Sequence, residues 1–472
     1  MGRRSKKIYI NQIFEQLEVT NSGGLGQSIA RRDNMVVFID KAVPGDLVDV
    51  RIYKEDKKAV WGTITQIHRA SPNRVGPFCE HFAICGGCKW QQMDYNTQLK
   101  YKHQQIVDAY ERTGKIPYKE LLPIIASEQT KYYRNKLQYS TTNKAYMEVF
   151  DKNNPEHLGK PALGFHIPNK FDKVFDVNHC HLMHPLHNDM RNFLRDKSLE
   201  LGYPFYDLRQ NTGLLREVMF RNTLDGQWMV LVIFANDDRA AIDTLLPLLQ
   251  QAFPQISCLY YCINEKTNDS YDGIEMIYYS GDKFLTETLG DYKFKIHPKS
   301  FFQTNPAQAL KLYETTKEFA SLQGDENVYD LYSGTGTIGL YISKLCKQVT
   351  GIEYVQEAVD DAYENASINK VTNAKFFAGD MVKVLDEDFV AAHGKPDLII
   401  TDPPRGGMHP DVVKKILELA PKRIVYVSCN PATQVRDLAL MLDKYEVLRV
   451  QPVDMFPHTH HVECVTELVL KA

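Results

Sequence analysis

The last third of the chain alternates short apolar segments with amphipathic stretches, and this pattern restricts the possible folds more than any other feature. From residue 296 onward, six apolar segments are separated by stretches long enough to form helices. Strands that alternate with helices pair in parallel and carry the helices on both faces of the sheet. The pattern predicts a doubly wound α/β domain with strands at 328–332, 348–353, 374–377, 397–401, 423–428 and 463–470.

The preceding part of the chain has a different pattern. Residues 8–70 alternate polar and apolar side chains between turn signals, which predicts a small all-β barrel. Residues 95–113 have the apolar spacing of an amphipathic helix. We therefore expect three units: the barrel at 1–70, a central α+β domain at 71–94 and 127–295, and the doubly wound domain at 95–126 and 296–472.

The composition is that of an ordinary globular protein. Of the 472 residues, 43% are hydrophobic and 24% are charged, which excludes disordered and fibrous classes. The longest purely apolar run, Trp228–Ala235, is far shorter than the roughly 18 residues that a membrane span needs. The basic N-terminus lacks the apolar core of a signal peptide. We therefore expect a cytoplasmic protein without a membrane partner, and a monomer.

Charge is distributed unevenly along the chain. The formal net charge is −3, yet residues 1–76 carry +5 and residues 89–136 carry +4. A basic N-terminal third could bind a polyanion such as RNA, although basic residues could equally serve to solvate a small domain.

A glycine-rich turn follows the first strand of the doubly wound domain. Gly334, Gly336 and Gly339 have the G-x-G-x-x-G spacing that lets a backbone approach a ligand closely. Glu353 ends the next strand, where a carboxylate can bind both ribose hydroxyls of an adenosine. Asp380 follows the third strand and could reach the adenine. Dinucleotide-binding and methyl-transfer folds share these features, so this loop alone leaves both open.

The segment after the fourth strand favours methyl transfer. Asp402-Pro403-Pro404-Arg405 lies at the carboxyl end of its strand, where open α/β sheets place their chemistry. A D-P-P motif at this place resembles methyltransferases that use S-adenosylmethionine. Those that methylate exocyclic amino groups usually have an aromatic residue after the prolines. Arg405 in that position favours carbon as the methyl acceptor.

A cysteine and a glutamate are the candidates for covalent chemistry. Cys429 follows the fifth strand directly and precedes Asn-Pro, which places it on a turn at the same edge. Carbon 5 of uracil is a poor nucleophile until a thiolate adds to carbon 6, and a base must then remove the carbon-5 proton. Glu463, at the start of the last strand, could be that base, because a shielded carboxyl can have a pKa near neutrality. His458, His460 and His461 lie nearby in the sequence and could bind a metal ion. Histidines in such a loop are more often solvated, so we favour that interpretation.

Three cysteines are clustered near residue 80. Cys79, Cys85 and Cys88 are separated by short, glycine-containing spacers, and Cys180 is the natural fourth thiol. Four thiolates suit either zinc or an iron–sulfur cluster. Zinc ribbons usually have two C-x2-C pairs, and only one is present, so we favour a [4Fe–4S] cluster with a structural or RNA-facing role.

Taken together, these motifs resemble the S-adenosylmethionine-dependent RNA (uracil-C5)-methyltransferases over nearly the whole chain. The resemblance implies a Rossmann-like methyltransferase domain, an OB-like TRAM barrel that binds RNA, and a central domain carrying the iron–sulfur cluster. It also implies that Cys429 is the nucleophile and Glu463 the base. Cofactor contacts would come from residues of the glycine loop and its surroundings: Gln303, Tyr332, Gly334, Glu353, Asp380 and Asp402.

The presence of both the barrel and the cysteine cluster resembles the branch that modifies 23S ribosomal RNA. We therefore expect S-adenosylmethionine as cofactor and an unpaired uridine of 23S ribosomal RNA as substrate, since a base must leave its stack to react. Four alternatives remain: methylation of tRNA uridine 54, an RNA cytosine-C5 methyltransferase, a ribosomal RNA-binding assembly factor without catalysis, and a cluster-based redox sensor. The cytosine enzymes carry a Pro-Cys where this chain has Asp402-Pro403-Pro404.

Overall fold

The computed structural model describes residues 8–82, 84–148, 159–168 and 170–472. An N-terminal barrel consists of five strands: β1 (Ile13–Ser22), β2 (Ser28–Arg32), β3 (Met35–Asp40), β4 (Leu47–Asp56) and β5 (Ala59–Arg69). Its strands run in the order β1-β2-β3-β5-β4, and β4 closes the barrel by pairing with β1. Alternate side chains, such as Val37 and Ile39, are fully buried inside it. The predicted small barrel is confirmed.

Helix α1 (Tyr95–Val107) connects the barrel to the rest of the molecule and continues as a π-helical turn over Asp108–Gly114. Asp94 caps its N-terminus by accepting a hydrogen bond from the backbone N–H of Thr97. Strand β6 (Tyr118–Leu121) follows and joins the edge of the C-terminal sheet.

The central region is built on a seven-stranded sheet backed by two helices. The strands are ordered β13-β12-β11-β10-β7-β8-β9, and only β11 and β12 pair in parallel. A separate hairpin follows and packs with the core of the C-terminal domain. The elements are β7 (Lys136–Thr142), β8 (Ala162–His166), β9 (Val174–Asp176), α2 (Leu186–Glu200), β10 (Leu215–Asn222), β11 (Trp228–Phe234), α3 (Arg239–Ala252), β12 (Ile256–Ile263), β13 (Ile277–Gly281), and the hairpin β14 (Leu285–Leu289) and β15 (Tyr292–Ile296).

The C-terminal domain alternates strands and helices as the sequence predicts. Its elements are α4 (Pro306–Ala320), β16 (Asn327–Leu331), α5 (Thr337–Ile342), β17 (Gln348–Glu353), α6 (Gln356–Ile368), β18 (Ala374–Ala378), α7 (Met381–Val384), α8 (Glu387–His393), β19 (Leu398–Thr401), α9 (Pro410–Leu419), β20 (Arg423–Ser428), α10 (Pro431–Ala439), β21 (Tyr445–Val453) and β22 (Glu463–Leu470), with a short 3-10 turn at Ser343–Leu345.

These strands form one sheet in the order β18-β17-β16-β19-β20-β22-β21-β6. The first five are parallel, and β22 is antiparallel to both of its neighbours, β20 and β21. The predicted doubly wound α/β fold is therefore confirmed. Three of the six strand predictions match the observed bounds, two differ by one residue at one end, and the prediction 328–332 is shifted by one residue from β16. Strand β21, which the sequence analysis did not predict, completes the sheet together with β6.

A buried ion pair joins α1 to the segment that leads into β22. The Lys102 Nζ lies 2.5 Å from Asp454 Oδ1, and both side chains are fully buried. Tyr95 donates its hydroxyl hydrogen to the other oxygen of Asp454, at 2.8 Å. Lys102 also donates to the Phe456 carbonyl. The helix thus fixes the loop that precedes Glu463. In the described part of the chain, no helix is long and apolar enough to cross a membrane.

Candidate active site

The register of two neighbouring strands brings Cys429 and Glu463 together. Ser428, the last residue of β20, pairs with Cys464 of β22. Cys429 is the next residue of one strand and Glu463 the preceding residue of the other, so the antiparallel register places them side by side. Cys429 is half-buried, whereas Glu463 is only 6% exposed. The two side chains that the sequence predicts as nucleophile and base therefore share one edge of the sheet.

The carboxyl groups at this edge are poorly solvated. Burial, and secondarily the charge of Asp402, raises the pKa of Glu463 to about 8, and Arg405 opposes this shift. Burial also raises the pKa of Asp402 to about 7. Asp402 keeps some accessible surface, which is consistent with a carboxyl at the bottom of a cleft. Because a buried carboxylate needs a positive partner, this edge is suited to a cationic ligand.

The thiol of Cys429 is affected by the same buried carboxyl groups and by the same arginine. Burial, together with the charges of Glu463 and Asp402, raises its pKa to about 11, and Arg405 is the cation that lowers it. A thiolate is the reactive form of cysteine, so positive charge brought to this edge would activate Cys429.

Arg405 is held beside Cys429 by the start of α10. The Arg405 carbonyl accepts hydrogen bonds from Asn430 Nδ2 at 3.0 Å and from Thr433 Oγ1 at 3.2 Å. Its guanidinium Nη2 lies 3.4 Å from His461 Nε2. The sequence analysis used Arg405 only to identify the acceptor atom. Its position directly after Asp402-Pro403-Pro404 is the signal that could have identified it as part of the site.

The glycine loop has the geometry of a ligand-binding turn. Gly334 has a φ of +54°, and a Cβ at this position would meet no atom within 4 Å. Its backbone N–H donates to Glu353 Oε2 at 3.0 Å, which holds the loop against the end of β17. Gly339 donates to Asp330 Oδ2 at 2.9 Å, and burial raises the pKa of Asp330 to about 7. Asp330, which sequence reasoning did not select, is the anchor of this loop.

Of the remaining predicted cofactor contacts, Tyr332, Asp380 and Asp402 lie around the same loop, and Gln303 does not. Tyr332 has a φ of +61°. Burial and the charges of Asp437, Asp380 and Glu353 raise its pKa to about 12, so these side chains lie within electrostatic range of Tyr332. Asp380 is exposed and caps α7 by accepting from the Val382 N–H.

Gln303 lies between the C-terminal domain and the central sheet. Its carbonyl accepts a hydrogen bond from Asn135 Nδ2 at 3.2 Å, and its side chain is half-buried. The ligand roles of all six predicted cofactor contacts remain predictions.

The three histidines of the loop before β22 are poorly solvated and neutral. Burial lowers the pKa of His458 and of His460 to about 4, and that of His461 to about 3. Gln98 Nε2 lies 3.1 Å from His458 Nδ1. Within residues 8–82, 84–148, 159–168 and 170–472, no group of three or more His, Cys, Asp or Glu side chains is arranged to hold a metal ion.

The four predicted cluster ligands line one cavity of about 360 Å³, although the structure does not show a metal site there. Cys79, Cys85, Cys88 and Cys180 are all free thiols. Burial raises the pKa of Cys88 to about 12, and the other three cysteines add to the shift, so all four lie within electrostatic range. Arg405 and His461 line the same cavity, which therefore reaches the edge that carries Cys429.

The fold and site together define a class of protein. The C-terminal sheet, with its glycine loop and acidic strand ends, is a methyltransferase fold that binds S-adenosylmethionine. The residues present fit this cofactor, because Asp330, Asp402 and Glu463 form a buried acidic region that a positively charged sulfonium would neutralise.

Comparisons with known proteins agree with this class. Residues 282–471 match the family model described as tRNA (uracil-5-)-methyltransferase. An uncharacterized RNA methyltransferase of Porphyromonas gingivalis is 48% identical, over 96% of this chain and 99% of its own length. Another, from Bacteroides thetaiotaomicron, is 46% identical over 94% of this chain and 99% of its own length. The chain belongs to the RNA (uracil-5-)-methyltransferase family.

A solved structure is similar over nearly the whole chain. It is the tRNA (uracil-54, C5)-methyltransferase of Pyrococcus abyssi in complex with S-adenosyl-L-homocysteine. The two chains are 27% identical with a TM-score of 0.74, and the match covers 96% of this chain and 99% of the Pyrococcus chain. The similarity therefore includes most of the barrel and the central region as well as the methyltransferase domain.

Proposed function

We propose that the protein transfers a methyl group from S-adenosylmethionine to carbon 5 of an unpaired uridine in 23S ribosomal RNA. The observation that carries this proposal is the side-by-side placement of Cys429 and Glu463 at the ends of β20 and β22. A thiol and a carboxyl at one edge are the two groups that uracil-C5 methylation requires. The proposal assigns Cys429 and Glu463 as the catalytic residues.

The chemistry divides into steps that these two side chains can perform. The Cys429 thiolate adds to carbon 6 of uracil, forming a C–S bond and moving the ring π electrons onto carbon 5 and the carbonyl oxygen. When bound, S-adenosylmethionine supplies the electrophilic methyl group that carbon 5 takes up. The Glu463 carboxylate then removes the carbon-5 proton, the C–S bond breaks, and Cys429 leaves as a thiolate.

Positive charge controls when the site becomes reactive. At neutral pH, the raised pKa values keep both Cys429 and Glu463 largely protonated in the free protein. Arg405 lowers both pKa values, and a bound sulfonium would act in the same direction. The nucleophile and the base would therefore ionise mainly after the cofactor enters, which limits side reactions of the free thiol.

The choice of ribosomal RNA over tRNA rests on the resemblance of the cysteine cluster to the ribosomal branch, because the similarity to the tRNA enzyme includes the barrel. The Pyrococcus abyssi tRNA enzyme is similar over 96% of this chain, so methylation of tRNA uridine 54 is the second candidate. Mass spectrometry of 23S ribosomal RNA and tRNA from cells with and without the gene separates the two. Loss of 5-methyluridine from ribosomal RNA alone supports the proposal, loss from tRNA alone contradicts it, and no loss from either favours an assembly factor without catalysis.

We further propose that Cys79, Cys85, Cys88 and Cys180 hold a [4Fe–4S] cluster. The support is four thiols around a single cavity beside the reacting edge, with a donor set that suits iron–sulfur clusters or zinc. Iron and acid-labile sulfide at four equivalents each in anaerobically purified protein support the cluster. One equivalent of zinc without sulfide contradicts it. The Cys88→Ser variant should lose the metal, and Cys346→Ser, at a buried cysteine outside this cavity, should keep it.

We also propose that the protein acts as a monomer in the cytoplasm. The support is a composition typical of globular proteins. Light scattering after size exclusion should give the 54.2 kDa mass of one chain, and cell fractionation should recover the protein with the ribosomal fraction.

A further inference from the structure

A buried arginine in the central sheet lacks the counter-charge that the comparable arginines have. Arg191, Arg216 and Arg221 are among the largest fully buried side chains of the described residues. Arg191 lies 3.8 Å from Asp176, and Arg216 lies 3.2 Å from Asp269. Among the described residues, no carboxylate lies within ion-pair distance of Arg221, which donates only to the Ser300 carbonyl, at 2.9 Å. Its Nε and Nη1 are buried without any hydrogen-bond partner.

A second cation faces Arg221 across the sheet. Arg221 of β10 is directly opposite Lys136 of β7, so the two side chains share a face. Burial and the charges of Arg221 and Arg134 lower the pKa of Lys136 to about 8. In the part of the chain that the structure describes, no acceptor for the Lys136 ammonium is found. Like charges at directly opposed positions destabilise a sheet, and an unpaired buried charge costs more still.

The neighbouring carboxylate does not neutralise the pair. Asp361 accepts a hydrogen bond from Ser300 Oγ at 2.5 Å and lies 3.7 Å from His297. Burial lowers the pKa of Arg221 to about 10. A guanidinium with two free donors beside an ammonium is the donor set that binds the oxygens of a phosphate.

The position of this pair relates it to the reacting edge. Asn135, next to Lys136, donates its backbone N–H to the Thr304 carbonyl at 2.9 Å, which ties β7 to the segment containing Gln303. Arg134, on the other side of Asn135, lines the cavity that also contains Arg405 and His461. Positively charged side chains, Arg405 and Arg134, thus lie between the edge that carries Cys429 and the Lys136–Arg221 pair.

We propose that Lys136 and Arg221 form a binding site for an RNA backbone phosphate beside the reacting uridine. This inference rests on the proposed function, because it assumes an RNA strand whose extruded base reaches Cys429. The half-buried Lys136 is the accessible member that would contact the phosphate, and the buried Arg221 behind it adds a positive charge that no carboxylate neutralises. The same chemistry could instead bind the carboxylate of the cofactor, and the experiment separates these two sources.

The first test is the salt dependence of RNA binding. The Kd of an unstructured, uridine-containing oligoribonucleotide is measured for the full-length protein between 50 and 300 mM KCl, without cofactor, so that no turnover occurs. For Lys136→Gln we expect several-fold weaker binding and a salt slope smaller by about 0.7, the value for one phosphate of a single strand. Lys414→Gln is the control, because Lys414 is exposed and pairs with Glu418.

The second test uses stability, so that a folding defect cannot imitate the result. For Arg221→Met we expect an unchanged or higher Tm in a buffer without phosphate, because an unpaired buried charge is removed. Inorganic phosphate should raise the Tm of the wild-type protein and leave that of Arg221→Met unchanged. A lower Tm of the variant in both buffers would overturn the proposal and make Arg221 a structural residue.

The remaining outcomes are equally decisive. An unchanged salt slope in Lys136→Gln overturns the phosphate site. Weaker S-adenosylmethionine binding with unchanged RNA binding overturns it as well, and assigns the pair to the cofactor carboxylate. A protein that binds RNA through this pair but methylates no uridine would contradict the proposed function and leave the phosphate site standing.

Discussion

Replacing Glu463 by glutamine should stabilise the free protein, and the gain should grow with pH. Glu463 is 6% exposed, and burial raises the pKa of its carboxyl from 4.5 to about 8. Between these two values the folded protein binds one proton that the unfolded chain has released, so folding stability falls as the pH rises. Glutamine does not titrate, so the variant does not lose folding stability in this way as the pH rises.

The size of the effect follows from the two pKa values. One pKa unit corresponds to about 1.4 kcal/mol, so the carboxyl costs roughly 1 kcal/mol at pH 5 and about 3 kcal/mol at pH 7. The stability difference between Glu463→Gln and the wild-type protein should therefore increase by about 2 kcal/mol over this interval. Coupling to Asp402 makes this an upper figure, because a protonated Asp402 reduces the shift.

Urea unfolding of the cofactor-free protein at pH 5, 6 and 7 measures this difference. Glu128→Gln is the matched control, since it makes the same substitution at an exposed position. A difference between Glu463→Gln and wild type that does not change with pH would refute the reasoning. It would mean that the carboxyl is already ionised and that its environment supplies a counter-charge.

Four further substitutions test other parts of the structure. Arg405→Gln should move the pH dependence of adduct formation with 5-fluorouridine RNA to higher pH, because Arg405 lowers the pKa of Cys429; an unmoved profile would contradict this. Lys102→Met should destabilise the fold by about 3–5 kcal/mol in urea unfolding, because Asp454 is left buried without its partner; recovery in the double variant with Asp454→Asn is the check. Gly334→Ala, at an open position with positive φ, should weaken S-adenosylmethionine binding in calorimetry at a stability cost of about 1 kcal/mol. Gly336→Ala should mainly destabilise the fold, because its Cβ would lie 2.9 Å from the Phe376 ring. Weaker cofactor binding in Gly336→Ala than in Gly334→Ala, with a larger loss of stability in Gly334→Ala, would contradict the role of Gly334 in cofactor binding.

Local sequence was sufficient to predict the strands that carry the site. Strand β20 is a nearly continuous apolar run, and the interiors of β17 and β22 are buried as well, as expected for strands covered on both faces. Because the carboxyl ends of parallel strands meet at one edge, Cys429 and Asp402 could be assigned to that edge from sequence alone. Strand β21 was missed because Glu446, Arg449 and Gln451 interrupt its apolar pattern.

The contacts that hold the site depend on residues far apart in sequence. Lys102 and Asp454 are separated by 352 positions, and neither lies in a motif that indicates its partner. The missing counter-charge of Arg221 is likewise visible only when β10 and β7 are paired. Positions set by tertiary packing in this way could not be predicted from the sequence pattern, whereas the candidate nucleophile and base could, since each adjoins a recognisable strand.

The most direct test of the central claim is whether Cys429 becomes covalently attached to RNA. A 5-fluorouridine RNA lacks the carbon-5 proton that Glu463 would remove, so the adduct should persist once S-adenosylmethionine has donated its methyl group. Mass spectrometry of the digested complex should find the modified nucleotide on the peptide that contains Cys429, with none in Cys429→Ala. Methyl transfer by the wild-type protein without such an adduct, or an adduct on another cysteine, would contradict the account.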